Sequence, residues 1–134
     1  MTVPAIDGLS VVPTKHTVAE VLTRIISIAK ARGITVFAQI DFSGDAARSG
    51  LTLKPTGLVI LGNPTAGTPL MVATPTVAID LPLKLLAFED ADGRTWVAYN
   101  DPEYLQRRHG FPETLIANLA PIRVLAQAAA APAP

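Results

Sequence analysis

TVAEVLTRIISIAKARGITVFAQIDF, Thr17 to Phe42, carries two hydrophobic periods back to back. In the first half Val18, Val21, Leu22, Ile25, Ile28 and Ala29 recur at helical spacing. Thr17 and Glu20 have the separation of a capping box, in which each side chain bonds the other's backbone N–H. Gly33 stands where a C′ glycine ends a helix. In the second half Ile34, Val36, Ala38, Ile40 and Phe42 alternate with Thr35, Phe37, Gln39 and Asp41. That is the pattern of a half-buried strand. A helix with one apolar stripe beside a strand with one apolar face predicts a helix packed on a sheet.

Working outward, residues 9–14 read as a short first strand. Ser43 caps a short turn or helix through Arg48, closed by Gly50. The run Leu58-Val59-Ile60-Leu61 predicts a central strand covered on both faces. Thr68 and Pro69 start a helix of one to two turns, which Pro75 interrupts; Pro82 ends the segment. Residues 84–89 and 94–99 flank Asp90-Ala91-Asp92-Gly93, so a hairpin is expected, with Gly93 at positive φ. Trp96 and Tyr99 face opposite sides of it, and one of them lines the core. Asp101 caps the next helix, Pro102 is its first residue and Gly110 ends it. A last helical stretch begins at Glu113, with Leu115, Ile116, Leu119 and Ile122 on one face, and Pro121 kinks or splits it. The order is β-α-β4-α. The expected fold class is α+β, an antiparallel sheet packed against a long N-terminal helix and a C-terminal helix. Residues 1–127 form a single domain in this reading, and 128–134 a flexible Ala/Pro tail.

The composition narrows the partners. The 134 residues are enough to bury roughly 65–70% of the unfolded surface without staples. With no cysteine there is no disulfide framework, thiolate metal site or thiol nucleophile. Lys and Arg number 11, as do Asp and Glu, so the net charge is zero. Nucleic-acid binding calls for a basic excess, and a charged membrane surface calls for a polybasic patch; neither is present. Residues 55–79 carry no charge, but Pro55, Pro64, Pro69, Pro75, Gly57, Gly62 and Gly67 break any spanning helix. This segment is expected inside the fold or in a subunit interface. The start MTVPAIDGLSVVPTKH lacks the pattern of a secretory signal, so a cytoplasmic location is expected. Only 16% of the residues are charged and 49% are hydrophobic, which favours self-association as a homodimer.

Residues 62–68 read GNPTAGT. The glycine spacing is that of a phosphate loop, but the lysine that reaches the terminal phosphates is missing and Thr68 occupies its place. Pro64 and Pro69 lack the N–H donors such a loop uses. A tight turn and helix cap is therefore the main reading, with the N–H groups of Thr65, Ala66, Gly67 and Thr68 left for a small anion or carboxylate. Asp101 to Gly110 has a structural reading first. Asp101 satisfies free N–H groups, Glu103 and Arg107 pair, and Arg107, Arg108 and His109 suit a helix C-terminus. The functional reading makes Arg107 or His109 an anion contact or an acid/base. Glu89, Asp90 and Asp92 read as a solvated turn. His16 reads as a surface residue, and no His/Cys cluster points to a metal. No nucleophile elbow occurs, and no cofactor or catalytic set is expected. Asp41, at a strand end beside Ser43, is placed to face a cleft.

Gly62-Asn63-Pro64, Gly67-Thr68-Pro69-Leu70-Met71, Asp80-Leu81-Pro82-Leu83-Lys84 and Tyr99-Asn100-Asp101-Pro102 occur in that order. Together they resemble the domain of unknown function family numbered 302, over about Thr17 to Gly110. The resemblance implies a TATA-binding-protein-like fold and frequent dimers. It implies neither DNA binding nor an established activity. The family pattern often has Asp-His after the second strand; here the pair is Asp41-Phe42, which lowers the case for histidine chemistry there. The leading functional expectation is a module that binds or senses a small polar or anionic ligand. In it Asn63, Thr65, Gly67, Thr68 and Met71 meet Asp41, Tyr99, Asp101 and Arg107 in a cleft beside the sheet. The alternative is a homodimeric scaffold without a ligand. An enzyme using Asp41 or His109 ranks last.

Overall fold

A computed structural model describes residue 3 and residues 5–133 of the chain. The helix that decides the fold, α1 (Val18–Ala31), forms as its sequence dictates. Thr17 accepts from the Glu20 N–H at 3.1 Å, and the Glu20 carboxylate accepts from the Thr17 N–H at 2.9 Å. Gly33 follows with φ of 68°, which a residue with a Cβ adopts only under strain.

Five strands form one antiparallel sheet in the order β1-β5-β4-β3-β2: β1 (Leu9–Thr14), β2 (Thr35–Asp41), β3 (Thr56–Gly62), β4 (Leu83–Glu89) and β5 (Thr95–Asn100). Between β2 and β3 lies α2 (Phe42–Arg48). Between β3 and β4 lie α3 (Pro64–Ala73) and a 3₁₀ segment, Pro75–Asp80. After β5 come α4 (Pro102–His109), a 3₁₀ segment, Glu113–Asn118, and α5 (Pro121–Ala130). The order β-α-β4-α and the α+β class are those the periodicities imply.

Helices α1 and α5 pack together across one sheet face. Val21, Ile25, Leu125 and Ala129 meet Val59, Leu61, Leu85, Val97 and Tyr99 there, all buried. Each large aliphatic buried this way contributes about 1.5–3 kcal/mol. A second cluster, Leu70, Val77, Leu105, Phe111 and Leu119, sits among α3, α4 and the two 3₁₀ segments. Leu83 packs against both clusters and joins them. Tyr99 is the core member of the hairpin, with Trp96 on the opposite face.

Several local expectations are corrected. β3 is not covered on both faces. Gly57, Val59 and Leu61 are buried, while Leu58 and Ile60 on the other face are half-buried. The strict alternation in β2 fails between Val36 and Ala38, where the register shifts, and Phe42 has left the strand for α2. Asp41, not Ser43, caps α2: its carboxylate accepts from the Gly44 N–H at 3.0 Å. α3 starts at Pro64 with Asn63 as its cap, so Thr68 and Pro69 lie inside it. The Ala/Pro tail begins later than residue 128, because α5 runs to Ala130 with Ala129 and Ala130 buried. Its last carbonyls have donors: Arg24 bonds the Ala128 and Ala129 oxygens, and Thr14 bonds that of Ala130. Pro134 lies outside the described residues.

Candidate functional site

Where β3 ends, Gly62 and Asn63 turn the chain into α3. The Asn63 side chain accepts from the Thr65 N–H, and its backbone oxygen accepts from Ala66 and Gly67, each at 2.9 Å. Pro64 has no N–H to give. The donors expected to be left for an anion at Thr65, Ala66 and Gly67 are therefore spent on Asn63 itself.

The same turn instead walls a cavity of about 220 Å³. Asn63, Gly67, Thr68 and Met71 line it, joined by Pro64 and Ala66. Leu81, Pro82, Leu83, Phe37, Asn118 and Leu119 make up the rest of the lining. No charged side chain among the described residues lines it. Its polar groups are amides and a hydroxyl. Asn118 donates Nδ2 to the Ala66 oxygen at 3.0 Å, which leaves its Oδ1 without a partner among the described residues. The Asn63 Nδ2 is likewise unpartnered there. A second cavity of about 270 Å³ shares the wall made by Gly62, Asn63, Ala66, Leu83 and Asn118. Arg32 lines that one, and its guanidinium has no carboxylate partner among the described residues.

Of the nine residues expected to form the site, four line the apolar cavity. Thr65 is exposed and its N–H serves the cap. Asp41 is occupied at α2, where the Gly44 N–H and then the Ser43 hydroxyl hold its carboxyl below the usual range. Tyr99 is buried in the main core. Asp101 makes no side-chain cap bond to α4. It accepts from the Ser10 hydroxyl instead, tying β1 to the start of that helix. Arg107 reaches Asp7 at 3.7 Å and lies over the Tyr104 ring. Its expected partner Glu103 bonds Arg123 at 2.9 Å, and that guanidinium lowers the Glu103 pKa. Phe37 and Asn118 escaped the sequence reading. Phe37 left a trace, being an aromatic in the polar phase of β2, as a bulge produces. Asn118 left none.

His109 is nearly buried. Its Nε2 lies 2.6 Å from Asp80 Oδ2 and its Nδ1 3.1 Å from the Thr76 hydroxyl. Asp80 also takes two bonds from Arg108, at 2.9 and 3.1 Å. This group fastens the 3₁₀ segment Pro75–Asp80 to α4. None of the four lines the apolar cavity.

A family model described as Domain of unknown function DUF302 matches residues 10–130, and the chain belongs to that family. The chain is 44% identical over 103 residues to a protein named Fluoride-specific ion channel FluC 1, of Brucella suis biovar 1 (strain 1330); the match covers 77% of this chain and 41% of that protein. It has the same identity over the same length to Fluoride-specific ion channel FluC 2 of Brucella melitensis biotype 1 (strain ATCC 23456 / CCUG 17765 / NCTC 10094 / 16M), covering 38% of it. The chain thus spans about two-fifths of the length of these curated relatives. The crystal structure of an uncharacterized conserved protein DUF302 from Bacillus stearothermophilus superposes with a TM-score of 0.76 at 20% identity. The superposition covers 93% of this chain and 97% of that one, so the two share a fold.

Proposed function

We propose that this DUF302-family chain is a small-molecule binding module, with its site in the apolar cavity at the β3–α3 turn. One observation carries the reading: an uncharged apolar cavity with an amide donor on Asn63 and an acceptor on Asn118 that have no partner among the described residues. A dry apolar cavity of about 150 Å³ holds benzene. About 220 Å³ therefore suits a ring or short branched chain with one small polar head. The head that matches both free groups is neutral and carries an acceptor beside a donor group, as a carboxamide does.

The relatives named as fluoride-specific ion channels give this module a setting. The described residues hold no helix long and apolar enough to cross a membrane, and well over half of those proteins lies outside the match. We read the matched region as a ligand-responsive part beside a channel, not as the ion path. Fluoride itself finds no cationic side chain among the described residues that line the apolar cavity.

Two-dimensional NMR with benzamide, benzoate, toluene and sodium fluoride tests this. Benzamide is expected to shift the Gly62 and Gly67 amides and the Met71 methyl, and Asn118→Ala to weaken it about tenfold, the loss of one good hydrogen bond. If none of the organic probes moves those resonances at millimolar concentration, the reading fails. If benzoate alone binds and Arg32→Gln abolishes it, the site is the adjoining cavity and the ligand is an anion.

A further inference from the structure

Two cavities meet at the β3–α3 turn, and the same two side-chain amides stand between them. Asn63 and Asn118 line the first, of about 220 Å³, and also the second, of about 270 Å³. Beyond that shared wall the two differ in chemistry. The first is uncharged and backs onto the smaller buried cluster through Met71, Leu81 and Leu119. The second backs onto the main core through Leu61, Ile122 and Leu125, with Ile34 beside them. Arg32 is the one charged side chain that lines it among the described residues.

Arg32 follows α1 directly, and Gly33 then turns the chain into β2. A cation at a helix C-terminus is favourable without a carboxylate. What singles Arg32 out is its lack of any other employment. Arg48, Arg107, Arg108 and Arg123 each reach a carboxylate, and Arg24 bonds carbonyl oxygens. The Arg32 guanidinium has neither among the described residues. Its N–H fork is left at the edge of a cavity whose other walls are apolar or amide.

We infer that the two cavities are one site for an N-acyl amino acid, an inference that rests on the binding reading above and extends it. The apolar acyl group enters the first cavity. The ligand's amide lies on the shared wall. Its oxygen accepts from Asn63 Nδ2 and its N–H donates to Asn118 Oδ1, the two groups without partners among the described residues. A secondary amide has one N–H and one oxygen, so it meets this pair with nothing left over. The carboxylate enters the second cavity, where the planar fork of Arg32 matches it with two parallel bonds. Apolar group, amide and acid thus follow one another along the ligand as the walls do along the site. An acid without the amide leaves Asn63 and Asn118 unpaired, and an amide without the acid leaves Arg32 so. Ile34, Ile122 and Leu125 suit a small aliphatic side chain on the amino acid.

Two-dimensional NMR titrations with hippurate (N-benzoylglycine), its neutral amide N-benzoylglycinamide, and benzamide test this at low ionic strength. Hippurate is expected to move the Ile34 methyls together with the Met71 methyl. It is expected to bind about fivefold tighter than N-benzoylglycinamide, the upper end for an ion pair open to solvent, since Arg32 is itself exposed. Added salt should shrink that advantage, and Arg32→Gln should remove it. Equal affinities of the two ligands for the wild-type chain overturn the inference. So does hippurate that moves Met71 and leaves Ile34 still, or an advantage that Arg32→Gln retains. The first two are read on the wild-type chain and hold even if the variant fails to fold. In each of these cases benzamide still binds, and the small-molecule reading stands. If benzamide fails to bind as well, that reading falls and takes this inference with it.

Discussion

Asp90 opens the β4–β5 turn with its carboxylate folded inward, and the residue is nearly buried. One oxygen accepts from the Trp96 indole N–H at 2.9 Å; the other accepts from the Asp92 and Arg94 N–H groups. The indole first, and then the Arg94 N–H, hold this carboxyl below the usual aspartate range. The native state therefore binds fewer protons than the unfolded chain in the window just below that range, and stability falls as pH is lowered there. The contribution is complete above about pH 3.9, the ordinary aspartate value, and is lost as pH drops through the lower folded value. In urea titrations from pH 6 downward, Asp90→Asn is expected to lower the midpoint at pH 6 and to flatten the acid limb relative to wild type. Its amide would also face the indole N–H donor to donor, so the Trp96 Nε1 proton resonance should move. The sequence reading had this residue in a solvated turn. A turn aspartate points out or in according to what stands six residues later, and residue type alone does not give the geometry that brings Trp96 back over it.

At the scale of elements, the sequence named the pieces and often missed the cap. Thr17 and Glu20 were legible because a capping box is complete within four residues. Ser43 and Thr68 are also good caps, but the strands before them end earlier, and Asp41 and Asn63 take the role. Strand ends are set by pairing with another strand, which a local pattern does not contain. The C-terminus of α5 shows the same dependence. It has no glycine cap. Arg24 of α1 bonds the Ala128, Ala129 and Ala131 oxygens instead, and His16 reaches Ala131 at 2.7 Å. Arg24→Met keeps the aliphatic stem and removes the donors. It is expected to cost about 1.5–3 kcal/mol, as loss of charged hydrogen bonds does. Denaturant unfolding measures the loss, and hydrogen exchange should rise first in residues 126–131.

Across the whole molecule, the two buried clusters meet at Leu83, and the proposed ligand cavity lies on the side of the second one. Phe111 is fully buried in that second cluster. Phe111→Ala is expected to cost about 3–5 kcal/mol. Because the main sheet has its own core, hydrogen exchange should loosen residues 64–119 outside the strands well before β3, β4 and β5. The benzamide response should vanish with it. An increase in exchange spread evenly over the chain would show instead that the two clusters unfold as one. The type and order of the elements were in the sequence, because periodicity, glycine punctuation and helix caps act within a few residues. The family was legible too, from four short motifs in a fixed order. The covered face of the sheet was not, since a period of two separates two faces without saying which one receives helices. Nor was the cavity, because a one-residue bulge turns Phe37 toward Gly62, and Asn118 meets Ala66 across 52 positions of chain. Contacts at that range follow from how the elements pack, and only the tertiary structure decides them.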